Sequence, residues 1–323
     1  MRRRWVTAGW LALLSSAVGL ALFQYLPSSG SQPETSLRVL VLGPHRLQAV
    51  DVDSGTITPV AKSGDISAVV AVGDFTVVQT TDHDRIFADA VVSYDASGVA
   101  TRLGEADRVI PDPSGGLWLV INSSGTTDGD VALASVTGGS RSVVFSVPGN
   151  RQVVGASGDA LVVLKGRTRD RRLQLWDPQL QEKVRAFGLA TSVLDTTDRS
   201  ILISRGCLNE GCEYFLVDST SGAVSAVSPP AGWAASGPPA LSPDGTEMAQ
   251  AIVGNSGGTA LAWGPPSGLN VDDTVHPAPG SAVFVSDGGW TYFSATDGAG
   301  VAVRGSVQLP VDFPRAGRVV DVS

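Results

Sequence analysis

The sequence predicts an all-β fold behind one N-terminal transmembrane helix. Three observations carry this: the balance of residue types, one uncharged apolar stretch, and a repeat of about forty-one residues. Of 323 residues, 38 are Gly and 19 Pro, while only 17% are charged. The acids are 6 Glu against 25 Asp, and the bases 3 Lys against 20 Arg. Glu and Lys favour helices, whereas Asp and Gly favour turns, so the balance excludes a helical bundle or coiled coil. Abundant Val, Thr and Ser suit short strands. A hydrophobic content of 43% supplies a core and excludes wholesale disorder.

The apolar stretch comes first. Arg2, Arg3 and Arg4 precede an uncharged run from Trp5 to Leu26. As a helix at about 1.5 Å per residue it would span a bilayer core of about 30 Å. Three arginines before the run predict a cytoplasmic N-terminus, and Trp5, Trp10 and Tyr25 suit the interfaces. The run is long and ends in Gln24-Tyr25-Leu26-Pro27 without an A-x-A site, which favours an uncleaved anchor over a cleaved signal peptide. The domains expected are 1–26, cytoplasmic arginines and signal anchor; 27–36, a small polar tether; and 37–323, the exported body.

The formal net charge is −8, and it is −11 without the three leading arginines. An acidic exported body excludes nucleic acid as the expected partner. Cys207 and Cys212, five residues apart, fit an oxidising compartment, where a disulfide forms and persists. Two cysteines with no histidines nearby do not make a closed zinc site.

The repeat is a hairpin of two apolar strands around a turn containing Asp or Gly. It begins at Leu47, Val91, Val131, Leu173, Tyr214 and Thr259. The turn positions Asp53, Asp95, Thr137, Asp177, Asp218 and Gly264 are spaced 42, 42, 40, 41 and 46 residues apart. A period near forty made only of short strands predicts a β-propeller with one four-stranded blade per repeat. Two further strands lie between successive hairpins, joined by tight turns such as Ser242-Pro243-Asp244-Gly245. The first blade has three strands, Leu37–Leu42, Leu47–Val52 and Thr56–Val60, and the chain ends in an unassigned apolar strand from Arg318. The expected fold class is therefore an all-β, seven-bladed β-propeller closed by the C-terminal strand.

At these hairpins the sequence resembles the WD-repeat-like and YVTN/quinoprotein-like propeller superfamily, in a membrane-anchored exported bacterial form. Trp176-Asp177 stands where a WD dipeptide belongs, and Tyr94-Asp95 and Val217-Asp218 are similar. Leu241-Ser242-Pro243-Asp244-Gly245-Thr246 looks like the turn of TolB-type repeats. The Gly-His dipeptide of true WD repeats is missing. The resemblance implies the fold; it does not carry a function.

Catalytic chemistry finds few carriers. The histidines are His45, His83 and His276, and only Asp82-His83-Asp84 groups potential metal ligands. Gluconolactonase-type propellers, which the fold could resemble, hold a central metal with acidic and amide side chains, and no such set recurs here. No G-x-S-x-G elbow, phosphate loop or zinc signature appears. No catalytic residue, metal site or cofactor is therefore expected.

Binding has better candidates. The connections between second and third strands, and those between late blades, are long and emerge on one face. Lys165, Arg167, Arg169, Arg171 and Arg172 form a basic cluster there, joined by Trp233 and His276. The expected function is a non-catalytic extracytoplasmic binding or scaffold propeller, held in the cell membrane by its N-terminal helix. It is expected to be a monomer that recognises an envelope protein or cell-envelope polymer through this face. The alternatives are a metal-dependent lactonase or lyase using Asp82, His83 and Asp84, or a structural spacer.

Overall fold

Alternation of apolar and polar residues sets the strands, and Asp-anchored turns set their ends. In the computed structural model, residues 38–43, 46–52, 54–62, 66–72, 75–81, 89–113, 116–122, 131–137, 140–147, 151–166, 170–208, 211–286, 289–295, 299–305, 307–311 and 318–322 are described. All belong to one compact unit, Ser36–Ser323. The first sheet holds β1 (Arg38–Leu42), β2 (Arg46–Asp51) and β3 (Ile57–Lys62). The second holds β4 (Ile66–Val72), β5 (Phe75–Thr80), β6 (Asp89–Tyr94) and β7 (Ala100–Ala106). The third holds β8 (Arg108–Asp112), β9 (Gly116–Asn122), β10 (Val131–Thr137) and β11 (Ser140–Val147).

The fourth sheet comprises β12 (Arg151–Ser157), β13 (Ala160–Lys165), β14 (Arg172–Asp177) and β15 (Glu182–Leu189). In the fifth are β16 (Ser192–Thr196), β17 (Ser200–Leu208), β18 (Gly211–Asp218) and β19 (Val224–Val227). The sixth contains β20 (Trp233–Ala235), β21 (Ala240–Leu241), β22 (Met248–Gly254), β23 (Thr259–Gly264) and β24 (Asn270–Asp272). The seventh contains β25 (Val283–Val285), β26 (Thr291–Ser294), β27 (Gly300–Arg304) and β28 (Val307–Val311). The last strand, β29 (Arg318–Val322), pairs antiparallel with β1 across a register shift between Leu40 and Val41.

The inner strands contact one another in order: β29 with β4, then β8, β12, β16, β21 and β25, which returns to β29. Apolar clusters fill the spaces between neighbouring sheets. Leu40 and Leu47 meet Val78 between the first and second, and Val162 and Leu173 meet Ile201 and Ile203 between the fourth and fifth. Val39 and Val41 meet Trp290 and Tyr292 between the first and seventh. Each such fully buried aliphatic side chain stabilises the fold by about 1.5–3 kcal/mol.

Turn chemistry explains the strand ends. Asp95 Oδ1 accepts from the backbone N–H groups of Ser97 and Val99, both at 2.9 Å. Asp177 Oδ1 accepts likewise from Gln179 at 2.7 Å and Leu180 at 2.9 Å. Each carboxylate satisfies donors that a tight turn leaves unpaired. These turns need a left-handed residue three or four positions after the Asp: Gly98 (φ 81°) after Asp95 and Gly222 (φ 83°) after Asp218, but in the fourth sheet Gln181 (φ 55°) after Asp177.

The expected seven-bladed propeller, closed by the C-terminal strand and preceded by one transmembrane helix, is corrected in its details. The regular elements among the described residues are all strands, and no helix among those residues is long and apolar enough to cross a membrane. The Trp5–Leu26 stretch lies outside them. The blades are not uniformly four-stranded either. The sixth sheet has five strands, because β20 and β21 both pair with β22. The sequence predicts Pro239–Leu241 alone as the innermost strand of that blade; in the structure Trp233–Ala235 takes the adjoining stretch of β22, opposite Ile252–Gly254. The short β21 ends at Ser242-Pro243, where Pro243 has no N–H to continue a ladder.

Candidate functional site

Two places gather chemistry: one rim of the propeller and its axis. On the rim, the register of the fourth sheet sets three cations abreast. Arg151 on β12 is paired with Lys165 on β13, which is paired with Arg172 on β14. Directly opposed residues of antiparallel strands share a side of the sheet, with Cβ atoms about 5 Å apart, and like charges so placed repel. Arg151 stacks over the Trp176 ring at 4.9 Å. Among the described residues, no ion pair joins Lys165, Arg171 or Arg172 to a carboxylate. Arg167 and Arg169 lie outside the described residues.

Arg171 adds to this row from the β13–β14 connection and also reaches the field of Arg108 on β8. Arg108 Nη1 donates to Val153 O at 2.7 Å. With its amide oxygen facing the guanidinium, Gln152 accepts from Nη1 at 3.1 Å and Nη2 at 2.6 Å. Burial lowers the pKa of Arg108, and the positive charge of Arg171 lowers it further, against a smaller opposing effect of Asp107. Nothing in the sequence ties Arg108 to the basic cluster, which is far from it in the chain and meets it only when the third and fourth sheets pack.

The other sequence candidates lie apart from this row. Trp233 is in β20, half-buried against Ile252, Ala260 and Ala262. A side chain at Gly254 would come within 3.3 Å of its ring. His276 is exposed, with Nδ1 at 2.8 Å from Thr259 O. Cys207 and Cys212 are bonded across the end of the β17–β18 hairpin. His45, Asp82, His83 and Asp84 lie outside the described residues. Among the described residues no group of three or more His, Cys, Asp or Glu is placed to hold a metal.

On the axis lies a cavity of about 610 Å³, lined from six of the seven sheets. Val70, Ile110, Gly155, Asp195, Ala240 and Phe284 come from the inner strands β4, β8, β12, β16, β21 and β25. Register shifts in β12 and β16 leave Val154 and Leu194 unpaired, and both line the cavity. Gly155 is required: a Cβ there would lie 2.6 Å from Thr196 Cγ2.

Asp195 was not singled out in the sequence. Its Oδ1 accepts from the N–H of Thr196 at 2.9 Å and its Oδ2 from the N–H of Leu241 at 3.1 Å, joining the fifth sheet to the sixth. Burial pushes its pKa up to about 6, the two backbone N–H donors only partly offsetting that effect.

No protein-family profile and no curated protein matches the chain. Similar solved structures exist, at low identity. The acylaminoacyl peptidase of Pyrococcus horikoshii is 11% identical with a TM-score of 0.63, covering 86% of this chain and 51% of that one. The chain thus spans about half the length of that peptidase. The β-propeller domain of the Trilobed protease from Pyrococcus furiosus, described as having an open velcro topology, is 8% identical with a TM-score of 0.61. That match covers 86% of this chain and 94% of that one. TolB from Acinetobacter baumannii is 14% identical with a TM-score of 0.51, covering 96% of this chain and 70% of that one.

These likenesses show the propeller fold. They do not place the chain in the WD-repeat-like or YVTN/quinoprotein-like superfamily, and that expectation is corrected to the fold alone. The physical reason is visible at Trp176-Asp177: the indole packs in the cluster between the third and fourth sheets, and the carboxylate holds a turn. Both jobs arise in any propeller.

Proposed function

We propose that this chain is a binding propeller that docks an acidic protein partner of the cell envelope through its cationic rim. The observation that carries the reading is the row Arg151, Lys165 and Arg172, with Arg171 beside it. Lys165 and Arg172, like charges directly opposed in the row, repel in the free sheet, and a chain of net charge −8 has acids to neutralise them. None of the described acids is ion-paired to Lys165, Arg171 or Arg172. An acidic segment laid across the row would relieve the repulsion and gain charge-assisted hydrogen bonds. Trp233 and His276, apart from the row, belong to the same proposal as further contacts.

In this reading the propeller is a monomer outside the cytoplasm, held to the membrane by Trp5–Leu26. The disulfide supports an oxidising location.

Poly-glutamate titrated into the full-length protein tests the reading directly. Binding should weaken steeply with salt and fall with Arg171→Glu and Arg172→Glu together. Equal binding by the double variant would overturn it. A photo-crosslinker at position 172 in intact cells should capture an acidic protein that one at Leu180, an exposed turn residue, does not. Capture of an anionic polymer instead would replace the protein partner with an envelope component.

A further inference from the structure

We propose that the axial cavity is a second binding site, for an apolar amine whose ammonium group rests on the Asp195 carboxylate. The cavity, at about 610 Å³, falls within the range of small-molecule sites. Its walls are largely Val, Ile, Leu, Pro and Phe, which suits a hydrocarbon body. Three charged residues line it, in different situations. Arg108 is held by Val153 and Gln152 of the neighbouring sheet. Asp112 accepts from Trp118 Nε1 at 3.0 Å and has a further partner.

Asp195 is different. Each of its oxygens accepts one backbone N–H, and no side chain of opposite charge accompanies it among the described residues. A carboxylate oxygen can accept about two hydrogen bonds, so each keeps capacity toward the cavity. A charge in such walls is normally paired. The missing counter-ion is what a ligand ammonium would supply, its alkyl body lying along Val154, Leu194 and Phe284. Partial burial acts in the same sense: desolvation raises the cost of the bare charge, which a cation would offset.

Neighbouring sheets close the site by packing, so its shape depends on their seam. Gly155 is where the fourth sheet admits Thr196 of the fifth, and the Leu241 N–H ties Asp195 to the sixth. This amine site is independent of the cationic rim. Its failure and the failure of the rim reading give different results, since poly-glutamate binding reports on one and amine binding on the other.

Calorimetric titration of the full-length protein in lipid nanodiscs with n-hexylammonium at pH 7.5 tests the site, with n-hexanol and n-hexanoate as probes of chain and charge. Hexylammonium should bind, and roughly tenfold or more tightly than hexanol. Asp195→Asn should abolish that preference. Leu194→Trp, which fills the cavity and keeps the carboxylate, should weaken binding of amine and alcohol alike. Equal affinity for hexylammonium and hexanol, a preference for hexanoate, or unchanged binding in Asp195→Asn would each overturn the proposal. So would the absence of hexylammonium binding to the wild-type protein.

Discussion

Asp195→Asn provides a stability test of the buried carboxylate that needs no ligand. The folded-state pKa is raised from 3.8 to about 6. For an acid raised in this way, the native state holds its proton over a pH range in which the unfolded chain has lost it. Stability therefore falls as pH rises from about 4 to about 6 and is level above that. A shift of about two units at 1.36 kcal/mol each amounts to about 3 kcal/mol. Wild-type curves alone will not isolate it, because Asp95, Asp218 and Asp244 carry lowered pKa values through their turn hydrogen bonds and slope the other way. The difference between wild type and Asp195→Asn cancels those contributions. Asn keeps one acceptor and loses the other, a penalty of about 1 kcal/mol at any pH. At pH 4 the variant should be slightly less stable than wild type, and at pH 7 more stable by about 2 kcal/mol. For a domain of this size that is roughly a 4 °C rise in Tm. Urea melts at pH 4, 5, 6 and 7 read it directly. A variant-minus-wild-type difference that does not change with pH would refute the burial argument.

Three further outcomes follow from particular residues. Gly155→Ala drives a methyl group into Thr196 and should destabilise the protein by about 1–3 kcal/mol, with Thr196→Ser partly restoring it. Gln181→Gly should stabilise by about 1 kcal/mol, because φ 55° strains any residue with a Cβ; no gain in urea melts would count against that strain. Cys207→Ser opens the short loop and should lower stability by about 2 kcal/mol. Peptide mapping of protein recovered from cells should find Cys207 joined to Cys212, and free thiols there would remove the argument for an oxidising compartment.

The hairpins were readable because their determinants are local. Asp95, Asp177 and Asp218 each hold a turn by accepting from N–H groups two to four residues ahead, so the sequence shows donor and acceptor together. The central strands alternate with period two because each sheet buries apolar side chains against its neighbours. β20 was not readable: three residues, Trp233-Ala234-Ala235, beyond Pro229 and Pro230, give no alternation to detect. The row of Arg151, Lys165 and Arg172 was half readable. Lys165 and Arg172 stand out as neighbours in sequence, whereas Arg151 joins them only through the register of β12 on β13. Asp195 was least readable of all. In sequence it is one of 25 Asp, preceded by Val193 and Leu194 as in any ordinary strand. Its position on the axis depends on a bulge and on inner strands drawn from five other sheets.

The two sites also differ in what holds them, and this bears on how each could be lost. The rim row is set by one sheet, so it survives any change that leaves β12, β13 and β14 paired. The axial carboxylate has no such independence, since one of its two hydrogen bonds comes from Leu241 in the next sheet. Opening the seam between the fifth and sixth sheets would hydrate Asp195 and remove the penalty of burying it. That seam is therefore under opposing influences: the Leu202, Leu241 and Met248 cluster holds it shut, and the carboxylate charge favours opening. A bound ammonium would remove the second influence while leaving the first, stiffening the seam between the fifth and sixth sheets. Hydrogen exchange at the Leu241 amide, measured with and without hexylammonium, separates these states. Slower exchange with the amine present is expected, and its disappearance in Asp195→Asn would assign the effect to the charge and not to the filling of the cavity.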